Sequence, residues 1–217
     1  MCNFNNQSVM RKILLVALSL FLISAWTAQA QYGVKVSYEP AIYTESMNSR
    51  VVENLCYDGV SMGLHRNFSF FEKVPLNINV GLGANYMVNK SVMSGLPRTR
   101  ELWNVFVPLQ VSYDFSIGKQ MKLSPYVGVY GRFFLSYKEI SQISQVDYHT
   151  RDYFSEKGFT RGLLGGSVGF SVKVSNHFQF DLGYGWDFSD FYYIGRTVGG
   201  DISERIRHFS FGVSYYF

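Results

Sequence analysis

The stretch FSFGVSYYF, residues 209–217, decides how the rest of the chain is read. Counting back in steps of two gives Phe217, Tyr215, Val213, Phe211 and Phe209, all large and apolar. Between them lie Tyr216, Ser214, Gly212 and Ser210, small or hydroxylated apart from Tyr216. A period of two with one greasy face is a β-strand between two unlike environments.

Seven earlier segments repeat the alternation. The first, over 32–43, sets Tyr32, Val34, Val36, Tyr38 and Ile42 against Gly33, Lys35, Ser37 and Glu39. The second, over 57–68, sets Val60, Met62, Leu64 and Phe68 against Gly59, Ser61, Gly63, His65 and Asn67. Arg66 interrupts its apolar face near one end, where a long side chain can snorkel to lipid headgroups. The third opposes Leu76, Ile78, Val80, Leu82, Ala84 and Tyr86 to Asn77, Asn79, Gly81, Gly83 and Asn85. In the fourth, Trp103 to Phe115 alternate with polar residues, and Leu102 and Phe106 are apolar exceptions on the polar face.

The fifth places Leu123, Val127, Val129, Phe133 and Leu135 opposite Ser124, Tyr126, Gly128, Tyr130 and Arg132. The sixth runs from Leu164 to Val174 and is rich in glycine. The seventh has Phe178, Phe180, Leu182, Tyr184, Trp186 and Phe188 facing Gln179, Asp181, Gly183, Gly185, Asp187 and Ser189. With the terminal strand the count is eight.

The polarity of the second face separates two all-β classes. A soluble sandwich turns charged strand residues to water. Here that face is mostly Gly, Ser and Asn, too small and too uncharged for a solvent surface, and it suits the crowded lumen of a narrow barrel. Aromatic residues fall near the strand ends, as interface girdles require. The reading is an all-β, eight-stranded, antiparallel, transmembrane up-and-down barrel over 31–217. Short connections at 69–75, 116–122 and 175–177 are expected as periplasmic turns. Longer stretches at 44–56, 88–101, 136–158 and 190–204 are expected as surface loops.

The amino-terminal segment agrees. Arg11 and Lys12 precede an apolar run from Ile13 to Trp26, followed by Ala28-Gln29-Ala30. This is a basic region, an apolar region and a small-x-small cleavage motif, hence a secretory signal over 1–30 with a mature start at Gln31. The run is short of the roughly 20 residues that a membrane helix needs. Met10 is a second plausible start. Together these place the chain in the bacterial outer membrane, with lipid and the barrel-assembly machinery as partners.

The formal charge of +4 includes Arg11 and Lys12, and residues 1–30 hold no acid, so the remainder carries 18 basic against 16 acidic side chains. That balance gives no reason to propose nucleic acid as a partner. Cys56 is the one cysteine beyond residue 30, so neither a disulfide framework nor a Cys/His metal cluster forms around it. No cofactor is expected: GLGAN at 81–85 and GLLGG at 162–166 are strand glycines without the helix that a phosphate loop requires.

Read along its whole length, the pattern resembles the outer-membrane β-barrel domain common in Bacteroidetes, the PorT-like family. The pieces that carry the resemblance are GVKVSYEP, NVFVPLQVSYDF with SPYVGVYGRFF, GLLGGSVGFSV, FDLGYGWDFSDF and the terminal FSFGVSYYF. It implies an envelope component: one member looks like an accessory of a protein-secretion system, and most have no assigned activity. These motifs describe architecture and say little about activity.

Three sets of residues are candidates for function. Inward charges at Lys35, Glu39, Arg132, Asp181, Asp187 and His208 would form an ion-pair plug. Lys35 and Asp181 count low in the barrel, and the others lie at mid-height or above. Unpaired, each would cost several kcal/mol. A gated path through that plug, making a narrow pore, is an alternative. His208-Phe209-Ser210 resembles the His-x-Ser pair of small outer-membrane lipid A deacylases, the enzymatic alternative. There the serine needs a lipid-facing His and an orienting carboxylate, whereas parity with Phe217 turns His208 and Ser210 inward. The third loop mixes both charge signs with Tyr148, Tyr153, Phe154 and Phe159, a composition suited to protein or glycan contact. Phe209, Phe211, Val213, Tyr215 and Phe217 are read as a carboxy-terminal signal for assembly.

Overall fold

The computed structural model describes residues 31–47, 50–69, 74–93, 96–118, 121–142, 148–155, 159–175, 177–197 and 200–217. The proposed signal and its cleavage site lie outside them. Twelve strands make one sheet: β1 (Gln31–Tyr38), β2 (Ala41–Met47), β3 (Arg50–Ser69), β4 (Leu76–Met93), β5 (Leu96–Tyr113), β6 (Phe115–Ile117), β7 (Met121–Gln142), β8 (Tyr148–Asp152), β9 (Gly162–Val174), β10 (Phe178–Asp187), β11 (Tyr192–Thr197) and β12 (Gly200–Tyr216). Every pairing is antiparallel, and β1 meets both β12 and β3, so the sheet closes on itself. Three crossings are interrupted strands. β1 and β2 break at Glu39-Pro40, β5 and β6 at Asp114, and β10 and β11 at 188–191. At the first break the Phe209 N–H donates to the Pro40 carbonyl at 2.9 Å, so the wall continues past a residue that has no N–H of its own. Counted as crossings, the ring has eight strands.

The radial distribution of side chains is inverted relative to a soluble protein. Met62 (63% exposed), Leu64 (66%) and Leu82 (60%) point outward, while Asn85 (1%), Asn104 (0%) and Ser214 (1%) are buried. A continuous exposed apolar band of this kind is compatible only with lipid. Outward charges mark its upper edge: Asp58 on β3, Lys90 on β4, Glu101 on β5, Lys138 on β7 and Arg207 on β12. Aromatic pairs lie at both rims, Tyr86 with Trp103 (4.6 Å between ring centroids) above, and Phe178 with Tyr215 (5.3 Å) and Tyr113 with Phe115 (4.8 Å) below.

Two details go beyond the expected pattern. Arg66, expected to snorkel, packs between two aromatic rings near the strand's rim end. It is 3% exposed, with its guanidinium 4.6 Å above the Tyr32 ring and 4.7 Å from the Phe68 ring. Flanking aromatics hold the guanidinium through cation–π contact. The four surface loops are also mostly strand. β3 runs 20 residues, β7 22 and β12 17, whereas a tilted strand needs about 9–11 to cross a membrane. Above the lipid band no apolar face is required, so the alternation fades while the hydrogen-bonded ladders continue.

In this upper region the ring divides into two sheets. The upper parts of β4, β5, β7 and β8 pair in that order and form one. The upper parts of β3, β2, β12 and β11 form the other. Between them lies an apolar core of Tyr43, Tyr57, Phe191 and Ile206 against Met87, Leu102, Phe134, Tyr137 and Tyr153. Tyr43 and Tyr57 pack with tilted rings at 4.3 Å, Phe134 meets Phe191 at 4.5 Å, and the Tyr57 and Tyr137 hydroxyls are 3.2 Å apart across the gap. Tyr153 and its neighbours in the 3-10 turn Tyr153–Ser155 complete this core. The third loop therefore turns Tyr153, Phe154 and Phe159 inward, not toward a partner, and leaves Tyr148 exposed.

Candidate functional site: the layered lumen

Four layers fill the barrel. The lowest is built on Tyr216, the large exception in the terminal strand. Its hydroxyl donates to Gln179 at 2.9 Å, the Lys173 ammonium lies 4.6 Å from its ring, and His65 meets it edge-on at 4.8 Å. Lys173 also donates to Gln31 at 2.6 Å.

Above this floor, Lys35 Nζ lies 3.6 Å from Asp181 Oδ2. Asp181 also accepts hydrogen bonds from Gln179 (2.8 Å) and Ser214 (3.1 Å). The structure brings this pair together low in the barrel, but at a separation longer than a direct hydrogen bond.

The third layer holds the remaining inward charges. Glu39 has no salt-bridge partner among the described residues. It accepts from Ser61 at 2.7 Å and from Asn85 at 2.8 Å, and Asn104 in turn donates to Asn85. Arg132 Nη1 lies 3.7 Å from Asp187 Oδ2, with side chains 3% and 0% exposed, and Tyr130 donates to the other Asp187 oxygen at 2.8 Å. Arg132 Nη2 is 3.3 Å from His208 Nδ1. A guanidinium can only donate, so His208 presents a bare Nδ1 to it. The six charges thus form two loose ion pairs, a carboxylate held by neutral donors, and a histidine acting as acceptor.

His208 and Ser210 both line the lumen. The Ser210 hydroxyl is engaged with Tyr126, and among the described residues no carboxylate hydrogen-bonds to His208. Neither residue faces lipid, where a deacylase serine would have to act.

Between the second and third layers remains a cavity of about 110 Å³, bordered by Ser37, His65, Gln110, Tyr126 and Ser167 among others. It is large enough for a few waters. The aromatic core closes the lumen above it: Met87, Leu102, Phe134, Phe191 and Ile206 are each 0% exposed. This fourth layer is absent from the expected plug. Its signal was nevertheless present, because Tyr43, Tyr57 and Leu102 stand at inward parity, where small polar residues are otherwise the rule.

Above the lipid band, Glu139 fastens the two sides of the first sheet. It accepts from Arg98 Nη2 at 2.5 Å, Arg100 Nε at 3.0 Å, Ser141 at 3.0 Å and the Tyr153 hydroxyl. Burial alone would raise the Glu139 carboxyl, but these donors outweigh it and hold it at about 2, below its ordinary 4.5. Burial, and then the bond to Glu139, pushes the Tyr153 hydroxyl up to about 12. A carboxyl lowered in the folded state adds stability that is complete above its unfolded value and lost as pH falls through the folded value. Amide protection over 137–142 and 148–153 should therefore persist from neutral pH to about 4 and collapse toward pH 2. Exchange measurements on the detergent-solubilised chain check this, and Glu139→Gln should show weaker protection already at neutral pH.

A closed ring of eight strands with a lipid-facing apolar band and a filled lumen defines an integral outer-membrane β-barrel. Residues 13–217 match the family described as outer membrane protein beta-barrel domain, and the chain belongs to that family. Among curated proteins none matches it in sequence. It is similar in fold to solved outer-membrane barrels. Neisserial surface protein A shares 18% identity over 88% of this chain and 100% of that one, with a TM-score of 0.46. Ail, the attachment invasion locus protein of Yersinia pestis, shares 12% over 88% and 100%, with a TM-score of 0.44. OprG of Pseudomonas aeruginosa shares 12% over 87% and 97%, with a TM-score of 0.41.

Proposed function

We propose that this protein is a closed, non-enzymatic barrel that serves the cell envelope as a structural or accessory component and presents its extracellular hairpins to other molecules. The observation that carries this reading is the stacking of a charged layer and a solvent-free aromatic layer across one narrow lumen. Such a lumen offers no route for a solute. The projecting sheets, by contrast, hold far more ordered strand than membrane crossing needs.

Service to a secretion or transport complex, as in PorT-like barrels, is the finer form of this proposal. The inward charges act in it as structural plugs, and the outward aromatic terminus acts as the address read by the assembly machinery.

Affinity capture from native outer membranes tests the accessory role. A tagged chain should retain a defined envelope complex. A variant with shortened tips of the β4–β5 and β7–β8 hairpins should lose that complex while still migrating as a folded, heat-modifiable barrel. Recovery of nothing by either chain would reduce the role to a structural one.

A further inference from the structure

The outward charges at the upper edge of the lipid band are not spread evenly round the ring. From β3 to β8 acids accompany the cations. Lys138 on β7 stands in register between Glu101 on β5 and Asp152 on β8. Lys90 on β4 lies two residues above Val88, whose partner across the ladder is Glu101. Asp58 on β3 accepts the Tyr38 hydroxyl at 2.6 Å.

On β12 the balance differs. Arg205 and Arg207 alternate along the strand, so both turn outward with Phe209, and both are exposed. Their partners in register on β2 are Thr44 and Ile42, and Trp186 on β10 faces Arg207. None of these neighbours carries a charge. Glu204 and Glu45 pair with one another one position away, and parity turns them to the opposite face.

The acid in contact with this pair is Asp190, which accepts from Arg205 Nε at 2.7 Å. That bond directs the guanidinium and leaves its two terminal nitrogens without a protein partner among the described residues. Arg207 has neither an ion pair nor a ring contact among the described residues. One carboxylate against two guanidinium groups leaves a net positive charge on this part of the wall.

Depth decides what can meet that charge. Tyr184 and Phe209, with ring centroids 5.1 Å apart, lie directly below the arginines on the lipid-facing wall. The arginines themselves stand where the apolar band ends, at the level of lipid headgroups. Residues two apart on a strand have Cα atoms about 7 Å apart, so two long side chains can approach one phosphate from either side. The planar guanidinium fork matches phosphate oxygens in pairs.

We propose that Arg205 and Arg207 form a binding site for the phosphate group of a membrane lipid, whose acyl chains run down past Tyr184 and Phe209. The site lies at the lipid boundary, below the projecting hairpins, and does not depend on what the hairpins present.

The test uses the full chain refolded into phosphatidylcholine vesicles, carrying Trp103→Phe so that Trp186, in register with Arg207, is the reporter within the barrel. The vesicles are doped with a brominated lipid, which quenches tryptophan on contact. One probe is brominated phosphatidic acid, which ends in a phosphate monoester, and the other is brominated phosphatidylcholine. Phosphatidic acid should be preferred roughly fivefold, the scale of a few exposed charge contacts. Arg205→Gln with Arg207→Gln should bring the two lipids to equal quenching while the chain keeps its heat-modifiable migration. Arg207→Lys, which retains the charge and loses the fork, should keep part of the preference. Lys138→Gln should leave it unchanged.

Equal quenching by the two lipids in the unaltered chain would overturn the proposal. So would an equal loss from Lys138→Gln, which would reduce the effect to general surface charge. Displacement of brominated phosphatidic acid by inorganic phosphate would also overturn it, because the site would then take the free ion and not the lipid. Each of these outcomes leaves the capture of an envelope complex unaffected, so the two readings fail separately.

Discussion

Replacing Arg132 with methionine should destabilise the barrel by ~3–5 kcal/mol, the usual consequence of leaving a buried charge without its partner. Asp187 is 0% exposed at the side chain, and Arg132 is the cation facing it, at 3.7 Å. With Arg132 gone, the hydrogen bond from Tyr130 is the polar contact that remains to it among the described residues. The double variant Arg132→Met with Asp187→Leu should recover most of the loss, because it removes both charges instead of stranding one. Urea unfolding of the chain in liposomes, followed through Trp103 and Trp186, reads both values. Equal midpoints for the wild type and Arg132→Met would show that water in the adjoining cavity solvates Asp187 and that the pair is not a structural element.

Gly169→Ala should impair assembly outright. A Cβ at this position would stand 2.3 Å from the Leu182 carbonyl oxygen and 2.6 Å from the Tyr126 ring. The carbonyl belongs to the β9–β10 ladder next to the Gly183↔Gly169 pair and cannot retreat without opening it. The ring is confined on its other side by Gly183, where an added Cβ would lie 2.2 Å from the Tyr126 hydroxyl. Overpacking of this kind costs ~1–3 kcal/mol or more when backbone must move. Gly131→Ala is the control, since its nearest neighbour would be Leu164 at 3.8 Å, and a change of ~0.5 kcal/mol or less is expected there. Folded yield judged by heat-modifiable migration separates the two. Equal yields would contradict the packing described for β9 and β10.

How much of this was legible before the structure depends on depth in the membrane. Inside the lipid band, alternation is enforced on every strand by two solvents, so the inward parity of Lys35, Asp181 and His208 could be counted from the sequence. Their distances could not, because pairing across a lumen depends on stagger between strands that are distant in sequence, such as Arg132 on β7 and Asp187 on β10. Above the band the constraint vanishes. RVVENLCY at 50–57 has no clean period, and its β-structure follows from ladder continuity with β2. The aromatic ceiling was legible only in part: Tyr43, Tyr57 and Leu102 stand at inward parity, but they come from separate strands and form a layer only when the barrel closes. Phe159 looked like a contact residue because loop composition alone cannot tell an inward ring from an outward one.

The terminal FSFGVSYYF contributes to both faces of the result. Phe211, Val213 and Tyr215 face lipid and pair with β1 and β10, closing the ring. Ser214 and Tyr216 point inward and build the lowest layers of the lumen. Loss of these outward side chains therefore removes the closing strand's membrane face.

Single-channel recording on the purified chain in planar bilayers tests the closed-lumen account most directly. The account predicts a silent membrane at moderate voltages, with conductance appearing when Phe191→Ala and Tyr57→Ala open the aromatic layer and Arg132→Met with Asp187→Leu removes the charges below it. Steady, ion-selective openings from the unaltered protein would contradict it.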